Sequence, residues 1–154
     1  MTTTWILLAD RSRARILSQA RSGAPLVVVE DFDHPEGRLH DRDIDSDKPG
    51  RVFDKAGVGR HAVGSEELPH ERAAHMFAKH LAERLRAGRQ AHAYEALVLA
   101  AEPRFLGLLR GQLDPTTRKQ VTGELHRHML GMHDGDISAA LEGVLPRGRP
   151  VARS

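Results

Sequence analysis

Three short apolar runs near the start of the chain predict β-strands. The run "TWILLAD" (4–10) is continuously apolar, "RARILSQA" (13–20) alternates weakly between apolar and polar residues, and "APLVVVEDF" (24–32) is rich in β-branched residues. The connections between them are short, with Asp10–Ser12 as the first turn. The pattern therefore predicts three sequential antiparallel strands.

A longer apolar pattern with helical spacing follows between Pro69 and about Gln90. Glu71 lies near its start and Arg89 near its end, where each charge is favourable against the helix dipole. The residues at three- and four-residue steps, expected to face the core, are Ala73, Met76, Phe77, His80, Leu81 and Leu85. This segment is predicted to be the longest helix of the protein.

The remaining pattern alternates strands and helices. Strands are predicted at 94–102 and 120–129, and a helix at 103–113 with Phe105, Leu106, Leu109 and Leu113 facing inward. A turn or short helix is predicted after residue 113. The last helix is predicted at 134–145 with an aspartate cap and inward-facing Ile137, Leu141 and Val144.

The predicted order is therefore β-β-β-α-β-α-β-α, which indicates an α/β fold. Because crossover strands return parallel to their neighbours, this order predicts a mixed five-stranded sheet with helices packed on it. That is the arrangement of ribonuclease-H-like domains. We expect one domain over residues 1–145 and a flexible basic tail over residues 146–154.

Residues 33–65 interrupt this pattern with a long loop rich in glycine and charge. Its first half, 33–47, carries six acids against two arginines, whereas residues 48–61 carry four bases against one acid. Loops this long are uncommon in compact domains and are usually functional or disordered. The loop is therefore the first candidate for a functional segment.

Composition excludes several classes of protein. There is no cysteine, so disulfide frameworks, thiolate zinc sites and cysteine nucleophiles are excluded. The longest apolar runs fall far short of the roughly 20 residues that cross a bilayer, and no export signal is evident at the N-terminus. The net charge is only +2, but nineteen of the twenty-three basic residues are arginine, whose planar fork suits phosphate. We expect a cytoplasmic protein without a cofactor, and neither membrane nor DNA as a partner.

Two carboxylates are the candidates for a metal-dependent nuclease. Asp10 ends the first strand and Glu102 ends the fourth, so both fall where two-metal sites collect their acids. The long helix supplies no third acid at a suitable place. The alternative is that Asp10 is a turn residue and Glu102 a helix-start acid.

The sequence contains three weaker motifs. Asp43, Asp45 and Asp47 resemble part of a calcium loop, but Lys48 stands where that loop requires glycine. A second motif, His126, His128 and His133, has spacing that suits a zinc site as well as a set of surface histidines. Gln112 completes a Gly-Gln pair but sits in a leucine-spaced helix, where a surface position is expected.

The basic half of the long loop offers a candidate anion site. Glycines at four positions permit close backbone approach to a ligand, and the basic side chains are donors for phosphate oxygens. Arg72 adds support at the start of the following helix. The residues expected to bind RNA are Lys48, Gly50, Arg51, Lys55, Gly57, Gly59, Arg60, His61 and Arg72.

Four segments together resemble the bacterial host attachment proteins. They are "WILLADRSRARIL", "DHPEGRLHDRDIDSDKPGRVFD", "HERAAHMFAKHLAERL" and "YEALVLAAEPRFLGLLRGQL", and the resemblance spans roughly residues 4 to 145. The family is regarded as a bacterial branch of the archaeo-eukaryotic release factor superfamily. The resemblance implies a ribonuclease-H-like core and an association with ribosome or tRNA.

In those release factors a glycine-rich loop with a Gly-Gly-Gln motif precedes the long helix. Here "GVGRHAVG" occupies a similar place, but Gly59, Arg60 and His61 match the motif in position only. His61 is a candidate base near neutral pH, without an orienting partner evident from the sequence. Catalytic activity is therefore left open.

The leading hypothesis is an RNA-associated module that contacts ribosome or tRNA through the basic loop. The alternatives are a peptidyl-tRNA or other ester hydrolase that uses His61, and a regulator or scaffold in surface attachment without RNA contact. The sequence leaves the oligomeric state open.

Overall fold

The computed structural model of the protein describes residues 2–34 and 69–145. The five strands are β1 (Thr4–Ala9), β2 (Arg13–Gln19), β3 (Leu26–Asp33), β4 (Ala96–Ala100) and β5 (Val121–Leu125). The four helices are α1 (Pro69–Gln90), α2 (Pro103–Gln112), α3 (Pro115–Arg118) and α4 (Asp134–Leu141). The predicted element order is confirmed, and the segment after residue 113 forms the short helix α3. Within the described ranges, no helix combines the length and apolarity needed to cross a membrane.

The strands form one mixed sheet in the order β3-β2-β1-β4-β5. Strand β2 is antiparallel to both β1 and β3, whereas β4 is parallel to β1 and to β5. Every residue of β1 and of β4 is buried, as expected for central strands that are covered on both faces. The predicted α/β class and ribonuclease-H-like arrangement are confirmed by this topology.

The larger core lies between the sheet and helices α1 and α2. Sheet residues such as Trp5, Leu7 and Leu99 meet Phe77 and Phe105 from the two helices. Tyr94 packs on Trp5 with ring centroids 4.9 Å apart, and its hydroxyl donates to the Leu85 carbonyl at 2.6 Å. Burial of these aromatic rings holds α1 against the sheet.

The buried face of α1 differs from the predicted one. Phe77, Leu81 and Leu85 are buried as predicted, but Met76 and His80 are exposed. Their places on the inner face are taken by small residues, Ala74, Ala78, Ala82 and Gly88. Small side chains let the helix backbone approach the sheet closely, so the apolar stripe is rotated toward the alanines.

The opposite face of the sheet is covered by α4 and the chain before it. Ile137 and Leu141 pack with Met129 over Ile6 and Leu8. The helix ends at Leu141 rather than at residue 145. Its cap is His133, without a side-chain capping bond, so the predicted aspartate cap is wrong.

Two strand predictions were too long. The fourth strand spans Ala96–Ala100, because Glu102 already caps α2. The fifth ends at Leu125, so His126 and His128 follow the strand instead of sharing one of its faces.

Candidate functional site

The carboxyl ends of three parallel strands meet at one edge of the sheet. Strand β1 ends at Ala9, β4 at Ala100 and β5 at Leu125, and the residues after each strand form this edge. Ligand sites in sheets of this type lie at the carboxyl ends of parallel strands. We call this surface the carboxyl edge.

Both described ends of the 35–68 range also lie at the carboxyl edge. On one side, the His34 amide donates to the Ser12 carbonyl at 2.7 Å, in the turn that follows β1. On the other side, Glu71 in the first turn of α1 forms an ion pair of 3.6 Å with Arg104 at the start of α2. The predicted basic loop is therefore joined to the body of the protein at this edge.

Asp10 is engaged by the turn between β1 and β2. One carboxylate oxygen accepts the backbone amides of Ser12 and Arg13, at 2.8 and 2.7 Å. The other oxygen lies 3.6 Å from the Arg13 guanidinium and 3.3 Å from Nε2 of His128. Asp10 thus ties the end of β1 to the residues after β5.

Glu102 is the N-cap of α2. Its two carboxylate oxygens accept the backbone amides of Arg104 and Phe105, at 3.0 and 3.1 Å. Pro103 follows at the first helical position, where its missing amide costs nothing. The local hydrogen bonds give both candidate metal ligands a structural role, and no group of three potential metal ligands occurs in residues 2–34 and 69–145.

We expect Glu102→Ala to lower the free energy of unfolding by about 1 kcal/mol, because two amides at the start of α2 lose their acceptor. Glu83→Ala, at an exposed position of α1, is the matched control and should stay within about 0.5 kcal/mol. Urea unfolding of the three proteins measures this. A rise in melting temperature with Mg²⁺ that Glu102→Ala abolishes would instead favour a metal site.

Glu124 on β5 joins the sheet to α2. Arg110 donates to its two carboxylate oxygens, at 3.1 and 2.8 Å, and this hydrogen bonding lowers the pKa of Glu124 while raising that of Arg110. His126 lies 3.6 Å from the same carboxylate. The pair positions β5, and with it the histidines at the carboxyl edge.

The family described as "protein required for attachment to host cells" matches residues 5–141. The chain belongs to this family. The match covers both cores and the carboxyl edge, and it confirms the family resemblance seen in the sequence. A search of curated proteins found no match.

Solved structures similar to this family member include an archaeal translation termination factor, with 15% identity and a TM-score of 0.46. The similarity covers 79% of this chain and 29% of that one. A second archaeal protein has 15% identity and a TM-score of 0.48, over 93% of this chain and 34% of its own. The chain therefore spans about a third of the length of each.

Arginines that reach solvent surround the carboxyl edge of this family member. The Arg104 side chain is 79% exposed. The others with exposed side chains are Arg11, Arg13, Arg72 and Arg127. Of these five arginines only Arg72 was predicted from the sequence, because the other four come together through the strand order and not through their spacing.

Most residues predicted to bind RNA lie outside the described residues. They are Lys48, Gly50, Arg51, Lys55, Gly57, Gly59, Arg60 and His61. The same holds for the acidic segment with Asp43, Asp45 and Asp47, and for the tail after residue 145. Of the predicted set, Arg72 is described, and it is exposed in the first turns of α1.

The histidine and glutamine motifs do not form a site within the described residues. His126 faces Glu124 and His128 faces Asp10, while His133 caps α4. Gln112 is the exposed last residue of α2, as the surface interpretation predicts.

Proposed function

We propose that this host attachment protein binds RNA, on the ribosome or on tRNA, through the carboxyl edge and the basic segment 48–61. The observation that carries the proposal is the placement of exposed arginines at the edge where the chain enters and leaves residues 35–68. A cation-bearing segment and a cation-bearing edge would then contact one phosphate backbone together. The proposal implies a cytoplasmic location.

The arginines of the carboxyl edge can exchange their carboxylate partners for a phosphate. Arg104 pairs with Glu71 at 3.6 Å and Arg13 with Asp10 at 3.6 Å, yet both arginine side chains remain more than half exposed. Exposed pairs of this length contribute little stability. A phosphate, which arginine can bind with two parallel hydrogen bonds, would replace or share these partners at small cost.

Asp10 and Glu102 at the carboxyl edge already accept hydrogen bonds from the backbone. They therefore repel phosphate less than free carboxylates would. Asp10 accepts two backbone amides and contacts two cationic or titratable side chains. Glu102 accepts two amides at the N-terminus of α2. Hydrogen bonding and the positive end of the helix dipole offset the charge of these acids.

The first test is co-sedimentation with ribosomes at two salt concentrations. We expect the intact protein to pellet with ribosomes at low salt and to be released at high salt, because phosphate contacts release counterions. A variant with Lys48→Glu, Arg51→Glu and Arg60→Glu should remain in the supernatant. Unchanged pelleting of this variant would refute the role of the segment.

The second test separates the carboxyl edge from net charge. Arg72→Glu with Arg127→Glu reverses two exposed arginines at the carboxyl edge, and we expect at least a tenfold loss of affinity for RNA. Arg86→Glu with Lys119→Glu makes the same change in net charge at exposed positions near the opposite end of the sheet. Equal losses in the two variants would mean that net charge, and not this edge, governs binding.

A hydrolase that uses the same segment would differ from a protein that only binds RNA, because it would release a reaction product. Release of a labelled acyl group from tRNA by the intact protein, abolished in His61→Ala, would add an activity to binding. A pull-down enriched in envelope or signalling proteins without ribosomal components would contradict the proposal and favour the regulator.

A further inference from the structure

Strand β3 has an apolar outer edge. It is the terminal strand of the sheet, and β2 is its strand partner within the described part of the chain. Val27, Val28 and Val29 are 60%, 50% and 38% exposed. Edge strands often carry a charge or a proline that blocks pairing with another chain. Here these flank the apolar segment of β3, with Pro25 before it and Glu30 and Asp31 after it, while Leu26–Val29 itself contains neither.

The exposed valines are spread over both faces of the sheet. Val28 pairs with Leu17, which belongs to the core under α4, so Val28 lies on that face. Val27 is its neighbour along the strand and points to the face that α1 covers. The strand edge is therefore apolar from both sides.

A fourth exposed apolar residue flanks the same edge. Met76 is 53% exposed and lies one helical turn before His80 on the same side of α1. His80 contacts Phe32 of β3 with ring centroids 5.9 Å apart. The large exposed apolar side chains of the described residues thus gather on β3 and on the flank of α1 beside it.

We propose that β3 pairs with β3 of a second copy of this chain, in an antiparallel arrangement that continues the sheet across a two-fold axis. Such an axis near Val27 or Val28 brings valine against valine. It is a self-complementary interface, as two-fold dimers require. The bulge that leaves Val29 without a partner on β2 lies directly beside the proposed axis.

The charges around the strand favour a second copy in this direction. The turn before β3 carries exposed Arg21, and the other end of the strand carries exposed Asp33 and Asp31, of which Asp31 also pairs with Arg15 of its own chain at 2.6 Å. Antiparallel pairing places the Arg21 turn of each copy beside the acidic end of the other. Parallel pairing would set the acidic ends side by side, which costs free energy.

Sedimentation equilibrium of the full chain tests the proposal. The average mass should rise from monomer to dimer over a range of about 1 to 200 µM, typical of small interfaces. Val28→Lys should raise the dimer dissociation constant at least tenfold, since it places two charges at the axis. Thr122→Lys, at an exposed position of β5 on the opposite edge of the sheet, should leave the constant unchanged.

Cross-linking locates the interface independently of lysine variants. The chain has no cysteine, so an introduced cysteine supplies the only thiol that can form a disulfide. Val28→Cys should form a disulfide-linked dimer on oxidation, whereas Thr122→Cys on β5 should not. If circular dichroism shows that Val28→Lys does not fold, cross-linking of the two cysteine variants tests the proposal in its place.

Three outcomes would overturn the proposal. One is a monomer at all concentrations, as expected if a segment of the same chain covers β3. Another is a dimer that a folded Val28→Lys variant does not weaken. The third is a dimer in which Val28→Cys fails to cross-link.

Discussion

Replacing Gly88 with alanine is expected to lower the free energy of unfolding by about 2 to 3 kcal/mol. A methyl group at this position would lie 2.6 and 2.7 Å from two atoms of the Trp5 ring, and 3.2 Å from Tyr94. Trp5 cannot move away easily, because it is buried, packs on Tyr94 and carries the Arg84 guanidinium 5.1 Å from its ring centroid. The variant must therefore separate α1 from β1 or distort the ring packing.

Gly107→Ala is the matched control for this prediction. Gly107 lies in the middle of α2, is exposed, and has no heavy atom within 4 Å of an added methyl group. Alanine should stabilise the helix by roughly 0.5 to 1 kcal/mol there, so the two variants should differ in sign. Chemical denaturation of both measures the difference. A Gly88→Ala variant as stable as the parent would show that α1 does not approach Trp5 this closely.

Tyr94 is expected to lose its proton only in strongly alkaline solution. Burial of the phenol raises its pKa from 10.0 to about 12, with a smaller opposing effect of Arg89. The unfolded chain ionises near pH 10, so the stabilising contribution is complete below pH 10 and is lost as the pH rises toward 12. At pH 11 the loss is roughly 1.4 kcal/mol.

The chain has one tyrosine, so its absorbance at 295 nm follows this ionisation alone. We expect a midpoint near pH 12 in the folded protein and near pH 10 in denaturant. Tyr94→Phe should remove the corresponding part of the alkaline fall in stability, while other titrating groups contribute equally to both proteins. A midpoint near 10 in the native protein would contradict a buried phenol bonded to the Leu85 carbonyl.

Hydrophobic patterning predicted the fold class well and the helix orientation less well. The bounds of α1 were predicted correctly, because Pro69 and the basic residues near its end are strong local signals. Its buried face was predicted correctly at Phe77, Leu81 and Leu85 but wrongly at Met76 and His80. Large residues dominate a sequence pattern, whereas close packing on a flat sheet selects alanine and glycine.

The predicted ends of the fourth and fifth strands were wrong. Glu102 looks like the end of an apolar strand in the sequence, but its carboxylate accepts two amides of α2. His126 and His128 continue an alternating pattern beyond β5, although the ladder with β4 ends at Leu125. The cap at Glu102 is a local side-chain hydrogen bond and the end of β5 is set by its pairing with β4, and apolar periodicity contains neither.

The candidate site was predictable only in part. Arg72 follows from its place at the start of α1, next to the basic loop. Arg13 and Arg127 are more than a hundred residues apart and share an edge because β4 lies beside β1 and β5 beside β4. Residue spacing does not specify that strand order. The residues between Lys48 and His61 stay a prediction.

The most direct test of an RNA-binding carboxyl edge is the salt dependence of affinity for single-stranded RNA. With about five phosphate contacts, a plot of log affinity against log salt should have a slope near −3.5. Arg72→Glu with Arg127→Glu should reduce its magnitude by about 1.4, whereas Arg86→Glu with Lys119→Glu should leave it unchanged. A slope near zero in the intact protein, or the same slope in the carboxyl-edge variant, would contradict the account.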